Sequence, residues 1–162
     1  KQGSTDAQHR LCHCYKEGFG VPRDCIEAWN WLAKAARKGS VYAQFDLGNY
    51  YRDDINTQGN YQEAVFWYHE AAKRGHVCAQ FNLALCYEKG GPPSEAQRRA
   101  DALELNTDCY DIIPPNYMQA IFWYEQASKQ GYASASNNLG DLYSRGLVKN
   151  LKLAEFWYNK AA

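Results

Sequence analysis

One pattern of twelve residues occurs three times in full and once in shortened form, which constrains the chain to fold as a stack of equivalent units. It runs Ala28-Trp-Asn-Trp-Leu-Ala-Lys-Ala-Ala-Arg-Lys-Gly39, then Ala64-Val-Phe-Trp-Tyr-His-Glu-Ala-Ala-Lys-Arg-Gly75, then Ala120-Ile-Phe-Trp-Tyr-Glu-Gln-Ala-Ser-Lys-Gln-Gly131. The last copy is Ala154-Glu-Phe-Trp-Tyr-Asn-Lys-Ala-Ala162. Trp31, Trp67, Trp123 and Trp157 are therefore one structural position seen four times.

A second register precedes each copy. Ala7, Ala43, Ala79 and Ala135 are each followed four residues on by Leu (Leu11, Leu47, Leu83, Leu139) and four further by Tyr (Tyr15, Tyr51, Tyr87, Tyr143). That spacing is one face of an α-helix, and it points Ala43, Leu47 and Tyr51 at the second helix of their own unit. A small residue follows each Leu (Cys12, Gly48, Ala84, Gly140), so a second helix can approach closely. Thirty-six residues separate Ala7 from Ala43 and Ala43 from Ala79, but fifty-six separate Ala79 from Ala135, so the third unit carries an insertion of about twenty.

Between the helices lies turn chemistry, Gly18-Phe-Gly-Val-Pro22 in the first unit, where glycine supplies positive φ and proline presets it. Asp24, Asn60, Asn116 and Asn150 then share one position, four before the Ala of the second helix, and are expected as N-caps. Lys or Arg followed by Gly closes that helix, in keeping with its dipole and a left-handed stop. Each unit is thus read as a helix–turn–helix hairpin.

Ala-x-x-x-Leu-Gly-x-x-Tyr, then Gly-x-Gly-Val-x-x-Asp, then Ala-x-x-Trp-Tyr-x-x-Ala-Ala-x-x-Gly resembles the Sel1-like repeat, a relative of the tetratricopeptide repeat. The resemblance implies an all-α, right-handed α-solenoid of about four hairpins. The expected units are 5–40, 41–76, 77–132 with an insertion at 91–113, and a truncated 133–162, as one array cut from a longer chain. Departures are local: Asp53-Asp54-Ile55-Asn56 replaces the glycines of the second turn, and the fourth turn is two residues shorter. Prolines bracket the insertion (Pro92-Pro93, Pro114-Pro115). Within it Ser94 to Gln97 fits a capping box, and a short helix is expected. It reads either as a tolerated surface loop or as part of a binding apparatus.

Composition narrows the partners. Eighteen basic and eighteen acidic residues cancel, which argues against nucleic acid. No apolar run approaches the roughly 20 residues a membrane span needs, so no membrane insertion is expected. The six cysteines do not recur at one repeat position, which favours reduced thiols and a cytoplasmic setting over a disulfide framework. The endoplasmic-reticulum lumen or secretion are the alternatives.

No catalytic motif is present: no Cys-x-x-Cys, no phosphate loop, no nucleophile elbow. No cofactor is expected. His9 and His13 have the spacing that lets two imidazoles share a metal, but one turn of one helix cannot aim His9, Cys12, His13 and Cys14 at one ion. No Glu follows His9 either, so no metal is expected. What remains is a surface. Phe45, Phe81, Asn49 and Leu85 lie on the side of the first helices turned from the second, with His9, His13, Asn137 and Asp141 at matching positions. They are expected to form a groove with an apolar centre and a polar rim, unless Phe45 and Phe81 pack between neighbouring repeats.

The expected function is a non-catalytic scaffold or adaptor that binds a peptide or partner protein on a concave face, as the resemblance also implies. The alternatives it leaves are a regulatory or substrate-docking arm of a larger enzyme, such as a kinase, and a secreted, disulfide-bonded, cysteine-rich array.

Overall fold

The structure, a computed structural model, describes residues 4–53, 60–90, 116–145 and 149–162. The expected insertion helix, with the whole of the insertion at 91–113, lies outside the described residues. Among the described residues there are eight helices and no strand. Residues 1–76 and 77–162 form two compact units. The first holds α1 (Thr5–Glu17), α2 (Cys25–Arg37), α3 (Val41–Asp53) and α4 (Tyr61–Ala72). The second holds α5 (Val77–Lys89), α6 (Tyr117–Lys129), α7 (Ala133–Arg145) and α8 (Leu151–Ala161).

Helix starts follow the cap chemistry. The Asp24 carboxylate accepts from the backbone N–H of Ile26 and Glu27, and Asn60, Asn116 and Asn150 accept from Glu63, Gln119 and Leu153. Each satisfies a donor that the first turn of a helix leaves orphaned. The closing glycines Gly39, Gly75 and Gly131 take φ of 90°, 85° and 82°, a region where any other residue is strained.

The hairpins are also pinned across their turns. The backbone N–H of Asp24 donates to the Tyr15 carbonyl at 2.9 Å, that of Asn150 to Tyr143 at 2.8 Å, and that of Asn116 to Tyr87 at 2.6 Å. The last pair flanks the insertion, so the third hairpin closes with the same bond as the first and fourth. Chain added between two joined ends costs only a slowly growing closure entropy.

Packing follows the stripe. In the first unit Cys12, Ala28, Leu32, Ala35, Ala36, Ala43 and Leu47 form one buried cluster, with Tyr15, Trp31, Tyr51 and Trp67 against it. Leu47 thus shares its core with α2 of the preceding hairpin, not only with its own second helix. Leu47, Leu83 and Leu139 are at most 1% exposed, whereas Leu11 is 37% exposed because no described helix precedes α1. Each buried Leu contributes about 1.5–3 kcal/mol.

A polar position also recurs among the buried residues of each unit. Gln8, Gln44, Gln80 and Ser136, each one residue after the register Ala, are all buried. The Gln44 amide donates to the Ala36 carbonyl at 3.1 Å. In the second unit the shorter Ser136 pairs its hydroxyl with that of Ser128, which stands where α2 has Ala36, at 2.7 Å. Shortening one partner is matched by lengthening the other, and the buried Ser136 hydroxyl is satisfied.

Candidate functional site

The small residue of each first helix lets an aromatic ring of the second helix reach past it. Tyr68 of α4, fully buried, lies over Gly48, and its hydroxyl donates to Asn49 Oδ1 at 2.7 Å. Tyr158 of α8 lies over Gly140 and donates to Asp141 Oδ1 at 2.6 Å. Asn49 and Asp141 occupy the same register position. In the third hairpin that position is Leu85, and the equivalent Tyr124 donates instead to Glu88 Oε2, one turn further along α5, at 2.6 Å. Asn138 also donates to the Tyr124 hydroxyl at 2.9 Å. Burial first, and then the Glu88 carboxylate, raises the Tyr124 phenol far above its ordinary value.

Two expected groove residues, Asn49 and Asp141, therefore also hold the hairpins together. Phe45 is half-buried, its ring stacked on His76 with centroids 4.6 Å apart and tilted over Tyr68 at 6.1 Å. Phe81 packs in the same way on Tyr124 at 5.7 Å and Tyr132 at 5.0 Å. Leu85 is half-buried and Asn137 exposed.

The first hairpin departs from this scheme, because Leu32 stands where the others have tyrosine. With no phenol to occupy it, the corresponding first-helix residue, His13, has a side chain 50% exposed. One turn before it, His9 Nε2 donates to Asp46 Oδ2 of α3 at 2.8 Å, and His13 Nε2 lies 3.8 Å from the same oxygen. The His9 and His13 rings meet edge to face at 4.8 Å, and Tyr42, 63% exposed, stacks against His9 and meets His76 edge-on. Asp46 was not among the sequence candidates. It lies one residue beyond Phe45 in a helix 37 residues downstream of His9, and no repeat rule marks it.

Beside this cluster opens a cleft of about 600 Å³. Cys12, Ala28 and Leu32 supply apolar lining, Trp29 and Tyr50 supply rings, and Lys16, Arg23, Asp46 and Asp53 supply charges of both signs; His13 and Asn49 line it too. Trp29 and Tyr50 escaped sequence reasoning because they sit off the shared repeat positions.

Two titrations report on this region. Burial pushes the His76 imidazole below its ordinary value of 6.5, with Asp46 opposing. The folded state thus resists a proton that the unfolded chain accepts. His76 contributes stability that is present above about 6.5 and lost as pH falls through the lowered folded value. Chemical denaturation at pH 7.5 and pH 5 is expected to show less acid destabilisation in His76→Phe than in wild type.

The five described cysteines carry free thiols, and Cys109 lies outside the described residues. Burial, assisted by Asp46, raises the Cys12 thiol, with Lys16 opposing. Brief alkylation of native protein followed by peptide mapping is expected to label exposed Cys25 first and half-buried Cys14 and Cys78 more slowly. Buried Cys12 and Cys86 are expected to react only after unfolding.

Repeated hairpins with recurring caps, stops and ring-over-small-residue contacts define a helical-repeat protein of the tetratricopeptide-like class. The model of the Sel1 repeat matches residues 5–40, 41–76, 79–100, 110–132 and 133–162, and the chain belongs to that family. A Sel1 repeat protein from Oxalobacter formigenes is similar in structure over 99% of this chain and 58% of its own, at 26% identity and a TM-score of 0.76. The protective antigen c5321 of uropathogenic Escherichia coli, described as displaying an SLR fold, is similar over 98% of this chain and 30% of its own, at 29% identity and a TM-score of 0.71. The chain thus spans less than two thirds of either relative. No curated protein matches it. Sel1 repeat proteins are in general non-catalytic scaffolds for protein–protein interaction. No described helix is long and apolar enough to cross a membrane.

Proposed function

We propose that this chain is a docking module that captures a peptide segment of a partner protein on its first-helix face, with the cleft of the first unit as the principal site. The observation that carries this reading is the cleft itself. An apolar lining, two flanking rings and a charged border match the anatomy of a protein-binding hot spot. Charges of both signs suit a segment with an apolar or aromatic anchor flanked by polar residues. His9, His13, Phe45 and Asn49 belong to this proposed surface. Phe81, Leu85, Asn137 and Asp141 present the corresponding face of the second unit. Free thiols on the described cysteines support a reducing compartment, the cytoplasm first.

The test is selection of binders from a random peptide library on wild-type protein, followed by affinity measurement on Trp29→Ala and Tyr50→Ala. Tyr50 is 46% exposed, so its truncation leaves the fold in place, which circular dichroism checks. Truncating a hot-spot ring costs about 2 kcal/mol or more, roughly thirtyfold in affinity. Peptides that bind both folded variants as tightly as wild type would remove the cleft from consideration, and deletion of residues 92–113 becomes the next variant.

A further inference from the structure

We propose that His9, His13 and Asp46 form a binding site for a divalent transition-metal ion, Zn²⁺ foremost. The metal site does not depend on peptide docking, although the two sites share His13 and Asp46. Two imidazoles four residues apart on α1 present their Nε2 atoms on one face, and α3 brings a carboxylate to meet them. The three ligating atoms all lie within 4.8 Å of one another. Around zinc, with bonds of about 2.0–2.2 Å, neighbouring ligand atoms stand about 3.0–3.5 Å apart. The two spacings to Asp46 Oδ2, 2.8 Å and 3.8 Å, bracket that range. The remaining adjustment falls on His13, whose half-exposed side chain is free to swing.

The donor set selects the metal. Two nitrogens and one carboxylate suit Zn²⁺, Co²⁺, Ni²⁺ or Cu²⁺ and disfavour Mg²⁺ and Ca²⁺, which take oxygen ligands. Coordination through Nε2 requires the Nδ1–H tautomer, so the proton now shared between His9 and Asp46 moves to the other ring nitrogen. Three protein ligands leave coordination positions open, and His13 and Asp46 also line the cleft. The ion would tie the first helix of one hairpin to the first helix of the next. Sequence spacing alone argued against a metal because it considered only α1, and the third ligand comes from another repeat.

The experiment uses untagged protein in a non-chelating buffer. Co²⁺ is titrated with visible absorption as the readout, and Zn²⁺ by competition against a chromogenic chelator. Thermal denaturation is followed with and without Zn²⁺. One equivalent is expected to bind wild type and to raise its Tm. His9→Ala, His13→Ala and Asp46→Asn should each weaken binding by at least the roughly 10–100-fold seen when mere outer-shell partners are lost. His69→Ala serves as the control and should leave binding unchanged. Asp46→Asn is isosteric, and its metal-free Tm and helicity separate a lost ligand from a lost fold. Wild type that binds no more tightly than a variant carrying all three substitutions would overturn the proposal. So would one-equivalent binding that persists in both Asp46→Asn and His9→Ala.

Discussion

A Gly48→Val variant is expected to lose about 3 kcal/mol of unfolding free energy, at the upper end of what overpacking a core costs. A Cβ at Gly48 would stand 2.6 Å from Tyr68 Cδ1 and 2.7 Å from Cε1. The ring cannot yield easily, because Tyr68 is 0% exposed and its hydroxyl is held by Asn49. Gly48→Ala is the milder case, since alanine regains about 1 kcal/mol of helix propensity over glycine. The third hairpin also accommodates Ala84 at this position. Gly140→Val meets Tyr158 at 2.5 Å, but that ring is 38% exposed and has solvent to move into, so the loss should be smaller. Urea denaturation should rank Gly48→Val as the worst of the three. A Gly48→Val midpoint equal to wild type would show that the hairpin is not closed through this contact.

Tyr124→Ala should be comparably damaging, at roughly 3–5 kcal/mol for emptying a fully buried ring site. Tyr124→Phe keeps the ring and removes only the hydroxyl, which leaves Glu88 and Asn138 without the partner they share. About 1–3 kcal/mol is expected, because a carboxylate that loses its donor in a partly buried site keeps its desolvation cost. A double-mutant cycle with Glu88→Gln isolates the pair. A coupling near zero would mean that the bond replaces one to water without net gain. Spectrophotometric titration gives an independent check: Tyr124 should stay protonated at alkaline pH where exposed tyrosines ionise, as its raised pKa requires.

These two sites show how far the repeat register carries. Gly48, Gly140, Tyr68 and Tyr158 are periodic, and their meeting is legible from spacing because a helix fixes which residues share a face. The substitute pairing of Tyr124 with Glu88 is not, since it arises where Leu85 breaks the pattern and a residue one turn away fills the role. The same holds for the expected groove. Phe45 and Phe81 are expected at a groove's apolar centre, and their rings lie against His76 and Tyr132, the residues just past the glycine stops Gly75 and Gly131. Wheel geometry gives a direction but not what fills it.

The all-α repeat architecture, the four N-caps and the glycine stops were legible in the periodicity of the chain. Each depends on interactions within a few residues, and four copies repeat the signal. Contacts in the folded chain, by contrast, set what stands between hairpins: the His9–His13–Asp46 cluster and the cleft flanked by Trp29 and Tyr50. Those features depend on which residues of different repeats are brought within a few ångströms. They arise where repeats differ, and a pattern built on equivalence carries no information about its own exceptions.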